Sequence, residues 1–150
     1  VTQIAAFKDV VGLFFGAADS SASLGCKLAW EPLLYARQKV VLAAAMYNLF
    51  TIDAPFFYMD DKEGLKKEAE AVKNLGFTGK AAIHPDQIDF INESFAPTSE
   101  EIAEGKKVLE EYQKSGGGAV KIDGQMVDEP IAEAMRLKIS LGEEEEENED

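Results

Sequence analysis

Hydrophobic positions along the chain fall into short apolar runs that alternate with longer stretches of helical spacing. Val10 to Phe15 (VVGLFF) is a continuous apolar run of a length that suits a strand buried on both faces, and it stops at Gly16. A loop of small and polar residues, Gly16 to Gly25, follows. Glu31 to Asn48 then carries Leu33, Leu34, Val40, Val41, Ala44 and Ala45 at helical spacing, with Pro32 near the start, where a missing N–H costs little. The pattern returns in Leu49 to Asp53, a strand-like run, after which Asp60 or Asp61 can cap a helix with Leu65, Ala69, Val72 and Leu75 on one face and Gly76 at its end. It returns again in Lys80 to Ile83, broken by His84-Pro85 and followed by a short helix bearing Ile88, Ile91 and Phe95. Strands and helices alternating with connections of this length predict parallel strands in right-handed crossovers, an α/β fold.

After Pro97 the pattern changes. Thr98-Ser99-Glu100-Glu101 is a capping box opening a helix with Ile102, Leu109 and Tyr112, and Gly116 to Gly118 stops it without the flanking residues a phosphate loop needs. Two short apolar runs about Asp123-Gly124 predict a hairpin with a type I′ turn. Asp128-Glu129-Pro130 starts a last helix to about Leu141, and the terminal EEEEENED is expected to be a disordered, solvated tail. The expected organisation is therefore a partial α/β domain over 1–97, a second segment over 98–142 and the tail over 143–150.

Composition narrows the function classes. The 150 residues suffice for one domain burying about 70% of its unfolded surface. A single cysteine, Cys26, excludes an internal disulfide or a paired-cysteine metal knuckle. The net charge of −13 is concentrated at the C-terminus: residues 143–150 hold seven of the 28 acidic residues, leaving 21 against 15 basic ones, a net −6. That balance argues against nucleic acid as a partner, since duplex binding rests on basic patches. No apolar run approaches the roughly 18 residues of a membrane helix, so no membrane partner is expected, and a cytoplasmic location, or the mitochondrial matrix in a eukaryote, is.

In a parallel sheet the residues just past each strand gather at one edge, where α/β enzymes place their chemistry. Here these are Gly16 to Asp19, Asp53 and His84-Pro85. Asp19, after a Gly-Ala-Ala turn, could hold a hard cation such as Mg²⁺, or could cap its own turn through backbone N–H groups. Asp53 could line the same mouth or accept hydrogen bonds from loop amides. His84 is the lone histidine, so no two-histidine metal site exists, and its place before Pro85 suggests a strand-end role over a catalytic one. Asp128 is a natural N-cap for the last helix.

Five segments in order, GLFFGAAD, WEPLLYARQKVVLAA, NLFTIDAPFF, GFTGKAAIHPDQIDFINESFAPTSEEI and GGGAVKIDGQMVDEP, resemble the citrate lyase beta subunit family, with its malyl-CoA and citramalyl-CoA lyases, within the HpcH/HpaI aldolase group. The resemblance covers residues 8 to about 140. It implies the C-terminal part of a (β/α)8 TIM barrel, about strands six to eight, followed by a small lid. It also implies that a preceding half, bearing an Arg for the substrate and a Glu as second metal ligand, lies outside this chain.

By the same resemblance the expected reaction is Mg²⁺-dependent, reversible cleavage of a 3-hydroxyacyl-CoA to an acyl-CoA and a 2-oxo acid. Coenzyme A enters as part of the substrate, Asp19 is the metal ligand, and Asp128 is the acid/base residue, supplied by a neighbouring subunit's lid in a homotrimer or higher homo-oligomer. Three alternatives stay open: a malyl-CoA thioesterase on the same fold, a CoA-independent pyruvate aldolase, and a non-catalytic fragment or interaction module.

Overall fold

A computed structural model of the chain describes residues 1–149, with residues 141–149 given by their backbone alone; Asp150 lies outside the described residues. The chain divides into two units, Val1–Phe95 and the segment from Ala96 onward.

In the first unit, β1 (Gly12–Phe14), β2 (Phe50–Asp53) and β3 (Gly79–Lys80) form one sheet in that order. Both pairs are parallel, with Leu13 opposite Thr51 and Asp53 opposite Lys80. Strand alternation divides the residues between two faces. Leu13, Thr51 and Asp53 are buried on one, whereas Phe14 and Phe50 are exposed on the other. The buried face meets the core of Phe15, Leu33, Val40, Ala43, Ala44 and Val72. It is covered by α3 (Trp30–Ala45) and α4 (Lys62–Leu75), which follow β1 and β2 in the chain after a short opening helix, α1 (Thr2–Ala5).

Local chemistry explains the helix ends. The Asp61 carboxylate accepts from the Gly64 N–H at 2.8 Å, capping α4, and Gly76, at φ 98°, ends it in the left-handed conformation that glycine adopts at little cost.

Two boundaries differ from the expectation. The segment read as a loop between Gly16 and Gly25 holds an eight-residue helix, α2 (Ala17–Leu24). Its sequence, AADSSASL, has no apolar stripe to announce it, although Ala accepts helical geometry at the lowest cost. The third strand is two residues long and does not reach Ile83. Ala81 still donates to the Asp53 carbonyl at 2.9 Å, but the Ile83 N–H bonds instead to the Gln87 side chain at 3.0 Å, and the chain turns through a 3-10 turn (Pro85–Gln87) into α5 (Ile88–Phe95).

In the second unit the capping box forms as its sequence predicts: Thr98 accepts from the Glu101 N–H at 3.1 Å and Glu101 from the Thr98 N–H at 2.9 Å, opening α6 (Ser99–Lys114). β4 (Val120–Ile122) and β5 (Gln125–Val127) pair antiparallel. The turn residues Asp123 and Gly124 lie at φ 48° and 91°, the two positive values a type I′ turn requires. Val108, Tyr112, Ile122, Val127 and Ala132 form this unit's core.

The last helix, α7 (Glu129–Glu149), runs past Leu141 through the acidic positions expected to be a disordered tail. Glutamate is a good helix former, and no proline follows Pro130 to break the helix. Among the described residues no helix is long and apolar enough to cross a membrane.

Candidate functional site

Because β1, β2 and β3 are parallel neighbours, the segments after Phe14, Asp53 and Lys80 leave one edge of the sheet. Asp19 sits there in the first turn of α2, exposed to solvent. The expected alternative, a carboxylate capping its own turn, is not what the structure shows, since the N-terminus of α2 has no side-chain cap. Among the described residues the Asp19 carboxylate has no hydrogen-bond or ion-pair partner. A Cβ at Gly16 would lie 3.3 Å from Asp19 Oδ2, so glycine there leaves the carboxylate room beside the backbone.

Asp53 is not part of that opening. It shares the helix-facing side of β2 with Thr51, is wholly buried, and binds side chains rather than loop amides. Arg37 Nε donates to its Oδ1 at 2.8 Å, and Lys80 Nζ to its Oδ2 at 2.9 Å. Lys80 Nζ also donates to the Ala54 carbonyl and to Glu68 Oε1, each at 2.7 Å, which uses all three ammonium hydrogens. The Arg37 guanidinium lies over the rings of Phe15 and Trp30, at 5.0 and 4.8 Å from their centroids. Among the described residues its Nη1 has no hydrogen-bond partner. The pattern Arg37, Asp53, Lys80, Glu68 thus alternates in sign and joins α3, β2, β3 and α4.

Sequence reasoning missed Arg37 and Lys80. The available signal was a charge set against apolar residues, Lys80 alone in GKAAI and Arg37, with Lys39 two positions on, in YARQKVVLAA.

Two cavities open at the same edge. One of about 200 Å³ is lined by Ala17, Trp30, Arg37, Glu68 and the loop Pro55–Tyr58; the other, of about 330 Å³, by Tyr58, Asp61, Lys62, His84, Asp86 and Gln87 among others. His84 is half-exposed, and its Nδ1 accepts from the Asp86 N–H at 3.2 Å, fixing the start of the 3-10 turn. Gln87 is buried and bridges two loops: Nε2 donates to the Phe56 carbonyl at 3.0 Å, and Oε1 accepts from the Ile83 N–H.

Asp128 belongs to the other unit, half-buried between β5 and α7. Its Oδ1 lies 3.5 Å from the Ile131 N–H, at the limit of a hydrogen bond and in N-cap geometry. The neighbouring Glu129 is more firmly held. Arg136 donates to Glu129 Oε1 at 2.7 Å, the Tyr112 hydroxyl reaches Oε2 at 3.0 Å, and these two bonds, Arg136 first, hold the Glu129 carboxyl below its usual range.

Among the described residues no three His, Cys, Asp or Glu side chains converge on a metal site. Asp19 offers one hard oxygen donor of the kind Mg²⁺ takes, the remainder of an octahedron being left to water, substrate or residues outside this chain.

Residues 1–85 match the HpcH/HpaI aldolase/citrate lyase family. The chain is 35% identical over 144 residues to the mitochondrial citramalyl-CoA lyase of Rattus norvegicus, covering 93% of this chain and 42% of that protein. It is 35% identical over 141 residues to the citrate lyase subunit beta of Haemophilus influenzae, covering 90% of this chain and 48% of that one. The chain therefore spans less than half the length of these relatives. The structure of the protein CitE from Mycobacterium tuberculosis, in complex with magnesium, acetoacetate and coenzyme A, superposes with a TM-score of 0.84 at 30% identity, over 95% of this chain and 55% of that one. RipC from Yersinia pestis is 48% identical over 67% of this chain and 47% of its own, with a TM-score of 0.65.

Proposed function

The chain belongs to the HpcH/HpaI aldolase/citrate lyase family, and from that membership we propose that it forms the C-terminal strands of a TIM barrel and the lid of a carbon–carbon lyase. Its substrate class is a 3-hydroxyacyl-CoA such as malyl-, citramalyl- or citryl-CoA, split to an acyl-CoA and a 2-oxo acid. The preceding barrel strands complete the enzyme and cover the exposed Phe14 and Phe50 face.

The observation that carries this reading is the unpartnered Asp19 carboxylate at the C-terminal edge of parallel strands, where barrel enzymes hold their reacting groups. Asp19 would hold Mg²⁺, which when bound polarises the oxygen that becomes the ketone. In the cleavage the hydroxyl gives its proton to the Asp128 carboxylate as the carbon–carbon electron pair passes to the thioester enolate. Asp128 then delivers a proton to the enolate carbon, and in the condensing direction takes it back. Its weak tie to Ile131 leaves that carboxyl available, in contrast to Glu129 beside it.

A Schiff-base route finds no nucleophile in Lys80, whose ammonium is buried with all its hydrogens engaged. The proposed assembly is a homo-oligomer, a trimer or larger, in which one subunit's lid closes a neighbour's barrel.

The test is turnover of the three thioesters by the complete enzyme, this chain together with the preceding barrel sequence, and by its Asp19→Ala variant. Mg²⁺-dependent release of a 2-oxo acid that Asp19→Ala abolishes is the expected result. Release of free CoA with the hydroxy acid left intact would replace the lyase by a thioesterase.

A further inference from the structure

The loop from Ala54 to Tyr58 borders the cavity that Ala17, two residues before Asp19, also lines. Two of its carbonyls are held from the third βα segment by buried side chains: Ala54 by Lys80, Phe56 by Gln87. Lys80 is part of the four-charge chain and has a structural duty whatever the protein does. Gln87 does not share it, because its polar contacts are the Phe56 carbonyl, the Ile83 N–H and a 3.9 Å approach to Met59 Sδ. A fully buried amide that spends its donor on one loop and its acceptor on the next couples the positions of both, since rotating or removing it leaves a buried carbonyl or N–H unpaired.

We infer that Gln87 is a positioning residue for the lyase reaction, holding the Ala54–Tyr58 loop against the cavity that Ala17 lines on α2, the helix that carries Asp19, by clamping the Phe56 carbonyl to the Ile83 N–H. The inference rests on the lyase reading for its functional half and on the two hydrogen bonds for its structural half. It assigns the residue no contact with substrate.

The discriminating change is Gln87→Glu, which keeps size and shape. A carboxylate there still accepts from Ile83 but repels the Phe56 carbonyl, whereas a protonated carboxyl donates to it as the amide does. Burial and the nearby Asp60, Asp61 and Asp86 carboxylates raise the pKa of the introduced group, while Lys62 lowers it; His84 and Tyr58 are the other titratable side chains lining this cavity. Gln87→Leu removes both bonds at every pH and serves as the fixed reference.

Two readouts are needed. In this chain Trp30, the lone tryptophan, lines the same cavity as the loop, so acrylamide quenching of its emission reports the loop. Between about pH 9 and 5, where Glu side chains perturbed by burial titrate, Gln87→Glu should quench more readily than wild type at high pH and converge on it at low pH. Gln87→Leu should stay offset throughout. In the complete enzyme, kcat/KM of Gln87→Glu, read well below the variant's melting temperature, should fall about tenfold or more at high pH, the deficit closing as pH drops; one donor bond to a positioned group is of that order.

Parallel pH profiles for Gln87→Glu and wild type in both readouts would overturn the inference. A quenching difference with no kcat/KM difference would leave a structural pin and remove the positioning role. If Asp19→Ala retains activity, or none of the thioesters is turned over, the lyase reading fails and the positioning role with it, and the Trp30 measurement still decides whether Gln87 holds the loop.

Discussion

Asp53 and Lys80 are register partners on β2 and β3, and their side chains meet at 2.9 Å in an interior that neither shares with solvent. Asp53 is the hub, because it alone binds both cations. Asp53→Ala should therefore be the more damaging change, leaving Arg37 without a carboxylate and Lys80 with only Glu68. Removing one partner of a buried pair costs about 3–5 kcal/mol. Lys80→Met should cost less, since Asp53 keeps Arg37 and the methionine stem refills the space. Urea unfolding of both variants checks the order; equal losses would mean that the two cations do not depend on the same carboxylate.

Among the described residues the Asp19 side chain makes no hydrogen bond or ion pair, so Asp19→Ala should shift stability by no more than about 0.5 kcal/mol, the range for surface changes. This chain should bind Mg²⁺ only weakly, because one carboxylate leaves most of the coordination shell to water. Titration calorimetry giving tight one-to-one binding to this chain would contradict that.

The two roles open to Asp128 separate under substitution. As a cap alone, Asp128→Asn should be nearly neutral and Asp128→Ala should cost about 0.5–1 kcal/mol, the lower end of the range fitting a contact of 3.5 Å. As the acid/base group, Asp128→Asn in the complete enzyme should keep its melting temperature and lose about 10²-fold or more in turnover. If lids exchange between subunits, mixing Asp19→Ala with Asp128→Asn should restore part of the activity through hybrid sites, and a mixture as dead as its components would place each lid over its own barrel.

Tyr112 is buried, and loss of hydration, followed by the Glu129 carboxylate, raises its pKa above the ordinary value of about 10. An acid whose folded pKa is raised favours the folded state below its unfolded pKa and loses that stability as pH climbs through the folded value. Absorbance at the tyrosinate band should show one of the four tyrosines ionising late, with stability falling in the same alkaline window. Tyr112→Phe should remove the late step. It should also loosen the Gly117 turn, whose carbonyl the hydroxyl meets at 2.7 Å.

What was legible in the sequence was chemistry that acts within a few residues. Asp61 and Gly76 bracket α4, Thr98 and Glu101 open α6, and Asp123-Gly124 turns the hairpin, each through a contact at most a few positions away. The order of strands and helices was legible for the same reason. The buried charges were not, because Arg37 finds Asp53 sixteen residues on and Lys80 finds it twenty-seven back, and nothing local announces either pairing. Helix α2 escaped for want of an apolar stripe. Asp19 stood out by its place past the first strand and more sharply through the resemblance; that, among the described residues, its carboxylate has no partner, rather than capping its own turn, needed coordinates.

The alternating chain of Arg37, Asp53, Lys80 and Glu68 also sets how the first unit can come apart. None of α3, β2, α4 and β3 can swing out alone without leaving a buried charge stripped of its partner, a penalty large enough to oppose their partial opening. The amides of Thr78 and Ala81, which close the ladder between β2 and the β3 segment, should then exchange with deuterium only when these elements unfold together, and with one common free energy. A split of the gene between residues 53 and 80 would separate the hub from half of its cations, which makes the α2–α3 connection, upstream of Arg37, the better place to divide the protein for fragment complementation.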